Sequence, residues 1–211
     1  KQEKQRVSPT PTAAVPELIT LSNGARVVLY HDAAAPKVTA QWFVKGGLLA
    51  ETPGTNGIGT LVAQLLGKGS RHYTKDDIQV PFENKGAQFS AALGNQSLYA
   101  SYVALAGDVP VLLPIFLDAV LHPVFADTEL ELARRQTLKR IDRRQDDWYS
   151  SADYQFRKHF FVDSAYRLPR SGEKDSVSIL NVDDLDRYVK QYWAPQDMVL
   201  VVVGDFSPRQ C

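Results

Sequence analysis

The chain has 211 residues, 44% of them hydrophobic, enough to bury a full core as one domain or two small ones without help from a metal or disulfides. Twenty-four basic and twenty-four acidic residues cancel to zero formal charge, so no global field draws the protein to nucleic acid or to an anionic membrane, and binding has to come from a local surface. The one cysteine, Cys211, excludes an intramolecular disulfide and a cysteine-rich metal site, and no apolar run approaches the roughly 18 residues of a membrane span.

Residues 1–16 are charged and then rich in Pro, Thr and Ala, without the periodicity that buries a face, and read as a flexible linker ahead of a single domain over 17–211. The start at Lys1 without Met and the stop at FSPRQC suggest a mature product or a piece cut from a longer protein. LITL and ARVVLYH flank Ser22-Asn23-Gly24 and predict a hairpin, and VTAQWFVK predicts a third strand over Val38–Lys45. The glycine-rich Thr52–Gly59 loop then leads into a helix near Thr60–Leu66, and Thr74 caps a second helix over Lys75–Lys85.

Strands follow at Ala87–Leu93 and Leu98–Leu105, then helical patterns at Val109–Leu121, Asp127–Gln145 and about Ser151–Phe161. Asn181 opens a last helix over Val182–Tyr192, and MVLVVV from Met198 to Val203 reads as a buried strand. Strands grouped early, helices later and a closing strand predict an α+β fold, a mostly antiparallel sheet of about five or six strands with helices packed on one face.

Several strings agree, in order, with a known family. LSNGARVVLYHD, WFVKGGLLAETPGTNGIG, LLGKGS, ENKGAQFSAALGNQSLYASY, HPVFADTELELARRQTLKRI and LNVDDLDRYVKQYWAPQDMVLVVVGDF together resemble the N-terminal half-domain of the pitrilysin/insulinase zinc metallopeptidases, from about Leu18 to Phe206. The resemblance implies a metalloenzyme half-domain like those of mitochondrial processing peptidase. In that family an inverted motif, H-x-x-E-H, supplies two zinc ligands and the Glu that activates the bound water. Gly57-Ile58 and Lys68-Gly69-Ser70 bracket the motif helix here, so its three places fall on Thr60, Ala63 and Gln64. The family's R-x-V-L-x-E-I becomes Arg135–Ile141, which puts Arg140 where the third ligand stands.

This set is hostile to zinc. A catalytic Zn²⁺ takes three N, O or S ligands plus water, and neutral Thr and Gln side chains are poor substitutes for imidazole. A guanidinium about 4 Å from the dication is repelled by several kcal/mol even at an effective dielectric near 20, and Ala63 offers no carboxylate. The chain is therefore expected to hold no metal or other cofactor and to have no peptidase activity alone, zinc belonging only to a partner domain.

Other patterns are weaker. GTNGIGTLV has Val62 where a dinucleotide fingerprint needs a small residue, and Gly67-Lys68 lacks the earlier Gly and following Ser/Thr of a phosphate loop; Gly67 and Gly69 read as helix-ending turns. His72 and Asp76 form at most a weak metal pair, more simply a surface pair, and His122 marks a helix end. The basic run ELARRQTLKRIDRRQDD fits the solvated side of an amphipathic helix, with Leu130, Ala133, Thr137, Leu138 and Ile141 inward and Arg134, Lys139 and Arg143 mostly outward, rather than a nucleic-acid surface. Tyr149, Tyr154, Phe156, Phe160 and Phe161 are expected in core packing, with burial of an inter-domain contact as a further role.

The resemblance implies an inactive half that pairs with a zinc-bearing domain or subunit, and with the C-terminal half-domain of its own protein, to enclose an unfolded peptide. Peptide can add to the sheet edge at the strand Ala87–Leu93, so Ala87, Phe89, Ser90, Ala91 and Leu93 are the expected substrate-contacting residues; Ser90 departs from the Asn common there. The alternative is a structural or assembly core protein with no peptide handling. Family members occur in bacterial envelopes and in organelles, and a bacterial periplasm or envelope is the expected setting.

Overall fold

The computed structural model describes residues 15–206, so nearly all of the expected linker lies outside the described residues. Six strands form one sheet in the order β1-β2-β6-β3-β5-β4. β1 (Glu17–Thr20) and β2 (Arg26–His31) make the opening hairpin. The closing strand β6 (Met198–Gly204) inserts beside β2 in parallel and beside β3 (Lys37–Lys45) in antiparallel register. β5 (Ser97–Leu105) follows β3, and among the described residues β4 (Gln88–Leu93) pairs with β5 alone, leaving an edge. The β2–β6 pair is the one parallel junction of this mostly antiparallel sheet.

Burial alternates along β3 and β5 with the two-residue period of a strand. Val38, Ala40, Trp42 and Val44, and Leu98, Ala100, Tyr102 and Ala104, are buried, while Thr39, Gln41 and Phe43 between them are half-buried. The buried face meets α1 (Ile58–Leu65), α3 (Val109–Leu121) and α7 (Val182–Tyr192) in one continuous hydrophobic core. α2 (Lys75–Asn84) starts at a reciprocal capping box between Thr74 and Asp77, and α7 at another between Asn181 and Asp184. α4 (Asp127–Arg143) packs on α1, and α5 (Trp148–Phe160) and α6 (Lys174–Ile179) complete the helices. The short α6 has no counterpart in the sequence reading.

Three expectations are overturned. α5 buries none of its residues: Tyr149 and Phe156 are exposed, and Phe156, Phe160 and Phe161 stack on one another at the surface rather than in the core. α5 packs chiefly against the turns at 144–146 and 165–167 that flank it and need not be amphipathic toward the sheet, so aromatic content alone misplaced it. Arg134 does not face solvent; its guanidinium donates to the carbonyls of Val177 and Leu180 and so caps the C-terminal end of α6. His72 pairs not with Asp76 but with Asp118, Nδ1 to Oδ1 at 2.8 Å.

Candidate functional site

α1 is apolar on nearly every side. Ile58, Gly59, Leu61, Val62, Ala63 and Leu65 are buried, and Thr60 and Gln64, one turn apart, are its only partly accessible residues. A helix this apolar belongs in the core, so its one polar stripe marks where it meets open space.

The N-terminus of α1 is held by a carboxylate the sequence reading passed over. Glu51 Oε2 accepts from Gly57 N at 2.8 Å and Asn56 Nδ2 at 2.8 Å, and Oε1 accepts from Gly59 N at 3.0 Å. A buried carboxylate thus satisfies the first free amides of the helix and faces the positive end of its dipole. Burial nevertheless dominates and pushes the Glu51 carboxyl up to about 7, the bonds from Gly57, Gly59 and Asn56 opposing it. Burial, with the charge of Glu51 beside it, also pushes the Tyr188 phenol upward. Gly57 has φ of 98°, and a Cβ there would lie 2.7 Å from Val177 Cγ2, so only glycine turns the chain into the helix at this point. An acidic residue a few places before a glycine-rich helix entry was the signal available in ETPGTNGIG.

Two hydrogen bonds tie the accessible stripe to its neighbours. Thr60 Oγ1 donates to the Arg170 carbonyl at 2.5 Å, and Gln64 Nε2 donates to Thr137 Oγ1 on α4 at 3.0 Å. Thr60, Ala63, Gln64 and Arg140, assigned to the motif places from sequence, line one depression of about 370 Å³ together with Ala91, Ala92, Leu93, Arg170 and Ser171. This lining contains no carboxylate, imidazole or thiol, and among the described residues no group of three or more His, Cys, Asp or Glu side chains could hold a metal ion. The donor set does not fit zinc: one hydroxyl and one amide are engaged with protein partners, and a guanidinium stands beside them.

The expected substrate strand borders the same depression. β4 begins at Gln88, so Ala87 lies just outside it. Phe89 turns inward onto Phe82 and Phe116, Ser90 Oγ lies 3.0 Å from Ser101 Oγ on β5, and Leu93 is buried. What β4 leaves free is its outer backbone edge. A second groove of about 540 Å³ runs along it between α1 and α2, and shares Ala63, Gln64 and Ala91 with the depression.

Ser70, His72 and Asp118 form a constellation that resembles a nucleophile triad by residue type alone. Ser70 Oγ donates to Asp118 Oδ2 at 2.6 Å while His72 sits on the other oxygen, so the carboxylate separates Ser from His and no base reaches the hydroxyl. Burial pushes the Asp118 carboxyl up, but the bonds from Ser70 and His72 outweigh it and hold the group below its ordinary value. Its work is to pin the segment after α1 onto α3.

Residues 26–170 match the family described as Insulinase (Peptidase family M16). The chain belongs to the M16 peptidase family. It is 28% identical over 207 residues to a probable mitochondrial-processing peptidase subunit beta of Schizosaccharomyces pombe, covering 94% of this chain and 44% of that protein. It is 26% identical over 202 residues to cytochrome b-c1 complex subunit 1 of Bos taurus, covering 93% of this chain and 41% of that one. Among solved structures, a peptidase M16 inactive domain from Pseudomonas fluorescens superposes with a TM-score of 0.85 at 19% identity, over 92% of this chain and 48% of that chain. The M16 chain thus spans less than half the length of these curated relatives. No helix among its described residues is long and apolar enough to cross a membrane.

Proposed function

We propose that this M16 chain is a non-catalytic domain or subunit that pairs with a zinc-bearing M16 domain and helps enclose and bind an unfolded peptide. The observation that carries the reading is the juxtaposition of an open β4 edge with a depression lined by Thr60, Ala63, Gln64 and Arg140, which has no carboxylate, imidazole or thiol to hold a metal or act as a general base. Backbone pairing on a sheet edge asks for free N–H and C=O groups and no catalytic side chain. Zinc is then a cofactor of the partner, and the peptide bond is cut there.

The test measures zinc content of the purified chain by plasma mass spectrometry. It then follows cleavage of an internally quenched peptide by the chain alone, by a zinc-bearing M16 chain from the same cell, and by the two mixed. The expected result is no stoichiometric zinc, no cleavage alone, and greater cleavage in the mixture than with the zinc-bearing chain alone. Chelator-sensitive, stoichiometric zinc in this chain would refute the non-catalytic reading. Unchanged cleavage and unchanged peptide affinity on mixing would favour a structural role instead, the reading supported by the similarity to a protein named as a subunit of the cytochrome b-c1 complex.

A further inference from the structure

Arg140 and Arg170 line not only the depression beside β4 but also an adjoining cavity of about 420 Å³, to which Arg143, Arg144 and Arg157 contribute. Five arginines therefore converge on one cleft of a chain with zero formal charge. Two aspartates share the lining, and both are engaged: Asp147 accepts from Ser150 N at 3.0 Å at the start of α5, and Asp153 pairs with Arg157 Nε at 2.8 Å. Arg144 is held over the Tyr154 ring at 4.5 Å and donates to the Gly172 carbonyl at 3.2 Å, which fixes one wall. Arg140, Arg143 and Arg170 are exposed, and no ion pair joins any of them to a carboxylate among the described residues.

We propose that this arginine cleft binds a run of carboxylate side chains in an extended peptide, so that the chain selects acidic segments. The inference rests on the peptide-binding reading above and adds a side-chain preference to it. Phe89, Ala91 and Leu93 face the helices from β4. Alternate side chains of a strand added to that edge point to the same side. Near Leu93 that side opens into the depression bounded by Arg140 and Arg170. Guanidinium groups receive carboxylates in paired, planar hydrogen bonds, and three unpaired guanidiniums facing one cleft repel one another until an anion enters. A polyphosphate backbone fits less well, because Asp147 and Asp153 interrupt the positive lining and the path continues along a strand edge that offers backbone amides and carbonyls.

The test uses the full chain and three fluorescein-labelled probes. The first is an unstructured peptide with Asp and Glu at one end, the second the same peptide with Asn and Gln in their place, and the third a single-stranded oligodeoxynucleotide of equal formal charge. Anisotropy titrations are expected to show the acidic peptide binding about tenfold more tightly than its amide counterpart at low salt. The preference should shrink as salt is added and collapse in Arg140→Gln/Arg143→Gln, two surface changes whose fold is checked by the urea midpoint. Equal affinities for the two peptides would overturn the charge preference and leave peptide binding standing. No binding of either peptide would overturn both readings. Tighter binding of the oligonucleotide than of the acidic peptide would overturn the proposal in favour of a polyphosphate ligand.

Discussion

Glu51 offers the sharpest quantitative test, because one carboxylate both caps α1 and sits 4% exposed in the core. Its carboxyl is pushed from 4.5 up to about 7, chiefly by burial. A group raised on folding stabilises the fold fully below its unfolded value and loses that contribution as pH climbs through the folded one. At about 1.4 kcal/mol per unit, the loss between about pH 5 and pH 8 comes to about 2–3 kcal/mol. Glu51→Gln keeps one carbonyl acceptor and cannot ionise, so its stability relative to the native chain should rise by that amount across the interval. Urea unfolding of both proteins at the two pH values measures it. A gap that stays constant, or that moves in favour of the native chain as pH rises, would show that the three donors from Asn56, Gly57 and Gly59 keep the carboxylate ionised and that burial does not dominate. Glu51→Ala strands those donors at about 1–3 kcal/mol each and should cost about 3–5 kcal/mol at about pH 5, a large part of the stability of a domain this size; because alanine does not ionise either, that cost should shrink by the same amount, about 2–3 kcal/mol, by about pH 8.

Asp118→Asn replaces one of the two carboxylate oxygens that hold Ser70 and His72 by an NH2 group, leaving one of those donors without its acceptor, and should cost about 1–3 kcal/mol in urea unfolding near neutral pH. Because the folded Asp118 carboxyl lies below its ordinary value, the stability it supplies is present above about pH 4 and lost as pH falls, so the variant's deficit should narrow in acid. Phe156→Ala should change the unfolding midpoint by less than about 1 kcal/mol, since that ring is 56% exposed; a cost of about 3–5 kcal/mol would return α5 to the core. The combined change Thr60→His, Gln64→His and Arg140→Glu places two imidazoles and a carboxylate on the lining of one depression and should yield stoichiometric zinc by plasma mass spectrometry. Restoring the two imidazoles while keeping Arg140 should not.

Strong local signals carried most of the fold. The alternation VTAQWFVK, the capping residues Thr74 and Asn181 and the apolar MVLVVV each place an element within a residue or two. The insertion of β6 between β2 and β3 was not legible, because pairing across some 170 residues leaves no local mark beyond an apolar run. α6 was missed for a related reason. It is six residues long and held by Arg134 from another helix, so its stability lies in a tertiary cap rather than in its own periodicity. Thr60, Ala63, Gln64 and Arg140 were placed by ordered similarity, while Glu51 and the arginine cleft needed coordinates. Glu51 acts through three donors at the entry to α1, and the arginines come from α4 and the turn after it, from α5 and from the segment after α5, which sequence separates by up to 30 residues.

The retained helix can be understood without reference to a metal. An ion that bridged α1 and α4 would hold the two together; here Gln64 and Thr137 make that link at 3.0 Å, and Thr60 fastens the Arg170 segment over the helix start. Each such bond is worth only about 0.5–1.5 kcal/mol net, far less than a structural zinc, yet the helix needs little more. Its six buried residues already anchor it in the core, and Glu51 satisfies its first amides. The depression therefore keeps its shape from apolar packing beneath and two polar ties at its rim, which frees Arg140 to point into it. A positive charge that would oppose a dication is, in the same place, an asset toward an anion, and the same Arg140 that argues against zinc is the first of the five arginines of the cleft.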